Sequence, residues 1–454
     1  MSTEDQQGEP LSLAKRVMRA AGFNAVAYVL MQVIRMVTNI VLARYFISKG
    51  DFGLVSVLLA VNIGLEMLSD VGIGAAIIQN DRGEEADFLN TAWTLHVVRG
   101  AGLTVVALLL VYPTAAILDM PKLLELMPVT ALVGVINGMH STSVFTLQRR
   151  LAFGRLSAME VAGQVCGSGG TLLIAMYEPS AWALVWGMLI RSTVDLIITH
   201  AVPVGYRNRF AWNRDDLRRI MHFGKWLFGS SALTFVGGEG HKLVLARPLG
   251  QEALGVYHIA DLLGQAATNA VVQQTSTIGY SAYSEVSRDQ PGRLKSVYYR
   301  SRRVLDALSQ PAFGGLSALA PPIVLFLYGE GFREAGWMLQ VLCLRGAMKA
   351  VASSGQYVLQ ARGVTRYSFF LNVGRVAWLV LCAPAGFALD GVRGVVWAVA
   401  TVELPALLVT HYGMYRHELL SIRRELLAPA MFGVGWALGW GVRAYVLPLI
   451  GLGG

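Results

Sequence analysis

The sequence predicts an all-α integral membrane protein of two six-helix lobes and one further span, within a range of about 12–14 transmembrane helices. Three observations predict it. Of 454 residues, 54% are hydrophobic and only 15% charged, where soluble domains run near a quarter charged, and the mean hydropathy is +0.50. The apolar residues gather in runs of about twenty or more, enough to cross a ~30 Å hydrocarbon layer as helices, and no alternating pattern suggests a β-barrel. Finally, the chain repeats itself near its half-way point. Val41-Leu42-Ala43-Arg44 precedes a turn and Phe52-Gly53-Leu54, and Val244-Leu245-Ala246-Arg247 precedes a turn and Leu254-Gly255-Val256. Two related lobes around a shared cavity are a recurring way to build a transporter.

The elements follow in order. Spans are expected at 20–43, 53–78, 90–112, 125–147, 156–177 and 180–204, then at 222–246, 254–284, 302–327, 335–361, 366–388 and 393–415, with a last apolar stretch at 426–450. The domain reading is a cytoplasmic N-terminal segment (1–19), an N-lobe (20–204), a basic amphipathic linker (205–221), a C-lobe (222–417) and an extra C-terminal helix (418–454). In the linker, Asn213 is expected to cap a short helix carrying Arg214, Arg218 and Arg219, lying flat at the membrane face. The polar start followed by a basic stretch and a full-length span reads as a signal anchor.

The net charge is +9, yet a nucleic-acid partner is not indicated, because the basic residues sit mostly in short loops between spans. Lys15, Arg16 and Arg19 precede the first span, and alternate loops carry Arg149 and Arg150, Arg207 to Arg219, Arg288 to Arg303, Arg362 and Arg366, and Arg416 to Arg424. The opposite loops are poor in Lys and Arg. The asymmetry places the N-terminus and the basic loops in the cytoplasm. Cys166, Cys343 and Cys382 fall inside apolar segments, with no disulfide framework or metal spacing.

Polar side chains within the spans fall on single faces. Asn24, Tyr28, Gln32, Arg35 and Asn39 share an arc of about 80° on the first span. Arg345, Lys349, Ser353, Gln356 and Gln360 repeat that pattern on the tenth, Asp261, Gln265, Thr268, Asn269 and Ser276 form a broad polar face on the eighth, and the second carries Asn62, Glu66, Ser69 and Asp70. A charge at mid-membrane costs about 2.5–3.5 kcal/mol even on the lenient insertion scale, so these faces should line water or pair inside the bundle. Arg191 with Asp195, and Glu239 with Lys242, have the spacing of ion pairs on one helix. Arg345 and Lys349 have no acid within their span. The candidate substrate-binding cations are Arg35, Lys242, Arg345, Lys349 and Arg375, suited to a phosphate group. Asn24, Gln32, Asn39, Gln265, Asn269 and Gln356 are candidates for the polar cavity lining. Glu66, Asp70 and Asp261 either neutralise the cations or serve ion coupling. No Walker loop, metal-ligand spacing or nucleophile elbow appears, so no catalytic residue, metal or cofactor is expected.

The run from Leu42 to Leu54 and the stretch from Leu68 to Gln79 resemble hallmarks of bacterial polysaccharide transporters. Phe223-Gly224, Leu249-Gly250, Leu254 to Tyr257, Arg293-Leu294, Tyr328-Gly329 and Arg362-Gly363 agree, so the resemblance covers about 22–417. The family is the flippases of lipid-linked oligosaccharide, within the multidrug/oligosaccharidyl-lipid/polysaccharide exporter superfamily. The resemblance implies two six-helix bundles forming a V, with spans one, two, seven and eight lining the cleft. It also implies movement of an undecaprenyl-diphosphate-linked glycan across the bacterial inner membrane, for O-antigen, capsule or exopolysaccharide, by a protein that is not an enzyme. The partners implied are that lipid-linked substrate, membrane lipids and the polysaccharide polymerase machinery. The sequence departs from the family near His241, where relatives often carry an Asp, and in its thirteen spans where many have fourteen. A drug or cation antiporter of the same superfamily would need an acidic cavity, against which Arg35, Arg345, Lys349 and Arg375 argue. An integral-membrane glycan polymerase would usually need larger external loops.

Overall fold

The computed structural model describes residues 13–150, 152–202, 206–446 and 448, with only the backbone described at helical residues 13–21, 24, 222–230, 232–233, 274, 277–278 and 281. The described residues form helices joined by short turns, with no strand among them. Among the described residues, six helical stretches are long and apolar enough to cross a membrane on length and composition alone, and a bent pair, Leu123–Gly138 with Ser143–Arg149, makes a seventh if it is one span.

The helices group into two compact units. The first comprises residues up to Leu42, Ser69–Val111 and Glu125–Phe228, and the second comprises Ala43–Leu68, Tyr112–Leu124 and the chain from Gly229 onward. In the first unit, α1 (Leu13–Tyr45) exposes Val26, Val29, Val33 and Val37 along one face, as a lipid-facing helix should. The expected second span is broken. Helix α2 (Lys49–Leu68) stops before Ser69, and α3 (Ile73–Gln79) begins after Gly72, whose φ of 69° is readily adopted only without a Cβ. Asp70 lies in this break rather than on a helix face, and its carboxylate accepts the Gly72 N–H at 2.9 Å.

Helix α4 (Ala86–Leu118) crosses α5 (Leu123–Gly138) at Gly100 and Gly138, where an added Cβ would strike the facing backbone, with Gly134 against the Thr104 hydroxyl. Thr104 adds an interhelical bond to the carbonyl of Ala131 at 2.9 Å, the small-residue packing that membranes favour. A bend of 54° separates α5 from α6 (Ser143–Arg149). The hairpin of α7 (Phe153–Tyr177) and α8 (Ala181–Ala201) closes through Gly163, Gly167 and Gly187. The basic loops form a network here: Arg82 bonds Glu85 and Asp216, Arg150 bonds Glu84, and Arg149 donates to the terminal carbonyls of α3. Asn213 caps as expected, accepting the backbone N–H of Asp215 at 2.9 Å. The helix it starts is not short and separate, however. It is the first turns of α9 (Arg214–Gly238), which runs on into the seventh span.

In the second unit, α10 (His241–Gln274) is bent at Gly250, where φ is +70°, two residues after Pro248. A π-turn (Thr275–Gly279) leads to α11 (Tyr280–Asp289), so the eighth span is not one uniform helix. There follow α12 (Leu294–Tyr328), α13 (Glu334–Ala361), and α14 (Arg366–Ala400), which breaks at Asp390 and Gly391 into two arms. Helices α15 (Glu403–Arg416), α16 (Ile422–Glu425) and α17 (Leu427–Gly441) end the described chain apart from a final π-turn, Val442–Val446, and residue 448. Helix α17 packs into α12 through Gly435 and Gly439 against Pro311, Gly315 and Ala318.

The repeated motifs meet each other. A Cβ on Gly53 would fall on the carbonyl oxygen of Gln251, and one on Gly255 would fall on that of Lys49. Lys49 and Gln251 each lie one helical turn before the motif glycine. The contact is therefore reciprocal, and a local two-fold relates the two copies where α2 crosses α10. Glycine is required because the backbones touch.

Candidate functional site

The ionisable residues of the second unit converge where α10, α13 and α14 pack. The turn at Glu239 and Gly240 places Glu239 and Lys242 on one side, 2.8 Å apart. The bend at Gly250 brings the first arm of α10 beside the second, so Lys242 also reaches Asp261, at 3.1 Å. From α13, Arg345 donates to the other oxygen of Asp261 at 3.0 Å, and Gln265 donates to the first at 2.7 Å. Asp261 is 2% exposed, Arg345 7% and Lys242 8%. Two cations and two carboxylates thus balance in a buried group. That balance is the condition under which charges survive in a low-dielectric interior.

This arrangement corrects the expectation that Arg345 lacks a neutralising acid, because the acid comes from a neighbouring helix. Arg375 is likewise paired, with Glu403 at 2.7 Å, and it also donates to Asn372. Lys349 has no ion-pair partner among the described residues and lines a niche with Asp261, Gln265, Thr268 and Arg345. The niche holds about 10 Å³, on the scale of one water molecule. A diphosphate does not fit it in this arrangement.

Of the remaining candidates, Arg35 belongs to the first unit, is exposed, and makes no ion pair among the described residues. Gln32 is half-buried on the same helix, and Asn39 turns its amide onto the Arg35 carbonyl at 2.8 Å. The side chain of Asn24 lies outside the described residues. Gln356 ties α13 to Ser368 of α14 at 3.3 Å, while Asn269 is exposed. Glu66 is exposed near the end of α2. The two same-helix pairs form: Arg191 lies 3.8 Å from Asp195, and Glu239 bonds Lys242.

One cluster escaped sequence reasoning. Arg302 reads as a loop cation, yet it is 2% exposed. It bonds Asp306 at 3.2 Å, the Tyr298 hydroxyl at 2.8 Å and Glu425 at 2.6 Å. Tyr299 and His411 also hold Glu425, at 2.8 Å and 3.1 Å. The spacing of Arg302 and Asp306 was the available signal, whereas Glu425 is too distant in sequence to pair by inspection. Burial pushes the Glu425 carboxyl up, but His411, Arg302 and Tyr299 outweigh it and hold it down at about 2.

Comparison with known proteins places these features in context. Residues 41–336 match the family described as "Polysaccharide biosynthesis protein". The chain is 25% identical to "Lipopolysaccharide biosynthesis protein WzxC" of Escherichia coli over 418 residues, covering 92% of this chain and 84% of that protein. It is 24% identical to "Succinoglycan biosynthesis transport protein ExoT" of Rhizobium meliloti, covering 86% and 78%. Among solved structures, "Lipid II flippase MurJ, inward closed conformation" superposes with a TM-score of 0.74 at 12% identity, over 94% of this chain and 96% of that one. A multidrug resistance MATE family transporter of the MOP superfamily, inward-facing, gives 0.66 at 15% identity over 88% and 96%. The fold is therefore the all-α membrane transporter fold of those proteins, and the chain is a multi-pass membrane protein.

Proposed function

We infer from the fact that this chain belongs to the polysaccharide biosynthesis protein family that it flips an undecaprenyl-diphosphate-linked oligosaccharide across the bacterial inner membrane. The glycan is a repeat unit for lipopolysaccharide, capsule or exopolysaccharide, delivered to the polymerase machinery on the far side. The family match carries the reading. Relatives named for lipopolysaccharide and succinoglycan biosynthesis support it, and so does a fold shared with a lipid II flippase. The chemistry agrees. Transport leaves every bond intact, and the cluster around Asp261 offers recognition and switching groups but no activated nucleophile.

In this reading access alternates between the two sides as the lobes 20–204 and 222–417 move, with the N-terminus and the linker 205–221 cytoplasmic. Lys349 and Arg345, with Arg35, Lys242 and Arg375, meet the diphosphate once the helices part. Glu66, Asp70 and Asp261 are the groups through which an ion could couple. The test is deletion of the gene and assay of surface polysaccharide together with lipid-linked repeat units. Lost surface polymer with repeat units retained on the cytoplasmic leaflet supports flipping. Lost polymer with single repeat units already on the outer leaflet would assign the block to polymerisation instead.

A further inference from the structure

A second basic site lies away from the Asp261 cluster, where α12, α16 and α17 meet. A pocket of about 340 Å³ is lined by Tyr299, Arg302, Arg303, Asp306, Arg423, Arg424, Leu427 and Met431. Its charges are unbalanced. Arg302 is satisfied by Asp306 and Glu425, but Arg303, Arg423 and Arg424 have no acidic partner within ion-pair distance among the described residues. All three are exposed, and Arg424 lies over the Tyr299 ring at 5.2 Å. The wall also carries an unsatisfied donor: Nη2 of Arg302 is buried and has no hydrogen-bond partner among the described residues. Leu427 and Met431 then give the pocket an apolar floor on α17. Beyond it, Val304 and Leu308 of α12 and Val434 of α17 continue as exposed apolar surface.

We propose that this pocket binds the phosphate headgroup of an anionic phospholipid, with the acyl chains running down over Met431 and the exposed face of α12 and α17. The order of groups matches such a lipid from head to tail. Arginines that can fork onto phosphate oxygens stand at the mouth. An aromatic ring holds one of them in place. Apolar side chains follow at the depth where glycerol gives way to hydrocarbon. Basic pockets between helices on the side facing the anionic leaflet recognise lipid headgroups in this manner. The ligand would brace α16 and α17 against α12, next to the buried Glu425 link. The proposal does not rest on the transport reading, since a resident lipid need not be moved.

The test uses the full-length protein purified in detergent, delipidated and analysed by native mass spectrometry. Phosphatidylglycerol, phosphatidylcholine with the same chains, undecaprenyl diphosphate and inorganic pyrophosphate are each added. The wild type should retain phosphatidylglycerol over phosphatidylcholine by tenfold or more. The triple variant Arg303→Gln, Arg423→Gln, Arg424→Gln should lose that preference, and the corresponding triple Lys variant should keep much of it. Arg303→Gln alone, which touches none of the Glu425 network, should lower the preference about fivefold, so the answer survives if the triple variant fails to fold. Equal retention of the two phospholipids, or unchanged preference in Arg303→Gln and the triple variant, overturns the proposal. Displacement by pyrophosphate alone would make the site one for soluble anions, and retention of undecaprenyl diphosphate only would assign it to the transported lipid. Either result overturns the phospholipid assignment.

Discussion

Replacing Asp261 by Asn tests the buried cluster most sharply. The amide keeps the shape and one acceptor but removes the charge that Arg345 meets at 3.0 Å and Lys242 at 3.1 Å. Lys242 retains Glu239 at 2.8 Å, so its loss is partial. Arg345 has no other ion-pair partner among the described residues and is left buried and uncompensated. Removing one member of a buried pair destabilises by about 3–5 kcal/mol, and most of that is expected to fall on Arg345. The double variant Asp261→Asn, Arg345→Gln removes both charges and should recover about 2 kcal/mol or more of the loss, within the range of coupling measured for neighbouring residues. The assay is the fraction of detergent-solubilised protein that stays monodisperse after a graded heat step, compared across wild type, both single variants and the double. Asp261→Asn as stable as wild type, or a double variant weaker than Asp261→Asn alone, would refute the electrostatic account. A double variant that is stable but exports nothing would show that the cluster also works in transport.

Further outcomes follow from the same geometry. Lys349→Gln should leave membrane abundance unchanged and reduce surface polysaccharide, with Lys349→Arg retaining more, because Lys349 alone in its niche has no ion-pair partner to lose among the described residues. Gly255→Ala should destabilise by about 1–3 kcal/mol through overpacking, since its methyl would fall on the Lys49 carbonyl; the loss is read from the same heat-step assay. The Glu425 carboxyl is held down at about 2 in the folded protein, below its unfolded value near 4.3. Its stabilisation is therefore present above about pH 4.3 and fades as pH falls toward 2. With His411 replaced by Gln in both proteins, so that no imidazole titrates beside the carboxylate, the stability difference between Glu425 and Glu425→Gln should be constant from pH 7 to 5 and shrink below that.

Much of this molecule was legible in its sequence, for physical reasons that also mark where legibility stopped. Apolar runs of membrane-spanning length imposed the helices, and the order of basic loops marked their ends. Asn213 announced its cap, and Arg191 with Asp195 announced a pair through local spacing alone. Breaks were harder. Ser69 to Gly72 interrupts an apolar run that reads as continuous, because a single glycine in a hydrophobic segment is as compatible with close packing as with a bend; the bend at Gly250, by contrast, falls in the turn expected between Arg247 and Leu254. Long-range pairing was not legible at all. Asp261 lies 84 residues from Arg345 and Glu425 lies 123 from Arg302, so no helical periodicity joins them. The repeated glycines were visible as a repeat, but their meeting across α2 and α10 is a tertiary fact.

The central claim, that this chain moves a lipid-linked oligosaccharide between leaflets, is tested most directly with purified protein in liposomes. A fluorescently labelled undecaprenyl-diphosphate oligosaccharide is incorporated in both leaflets and quenched by a membrane-impermeant reductant added outside. Vesicles containing the protein should lose nearly all fluorescence, while protein-free vesicles should keep their protected inner-leaflet share. Equal protection with and without the protein, under every ion gradient applied, would contradict the account.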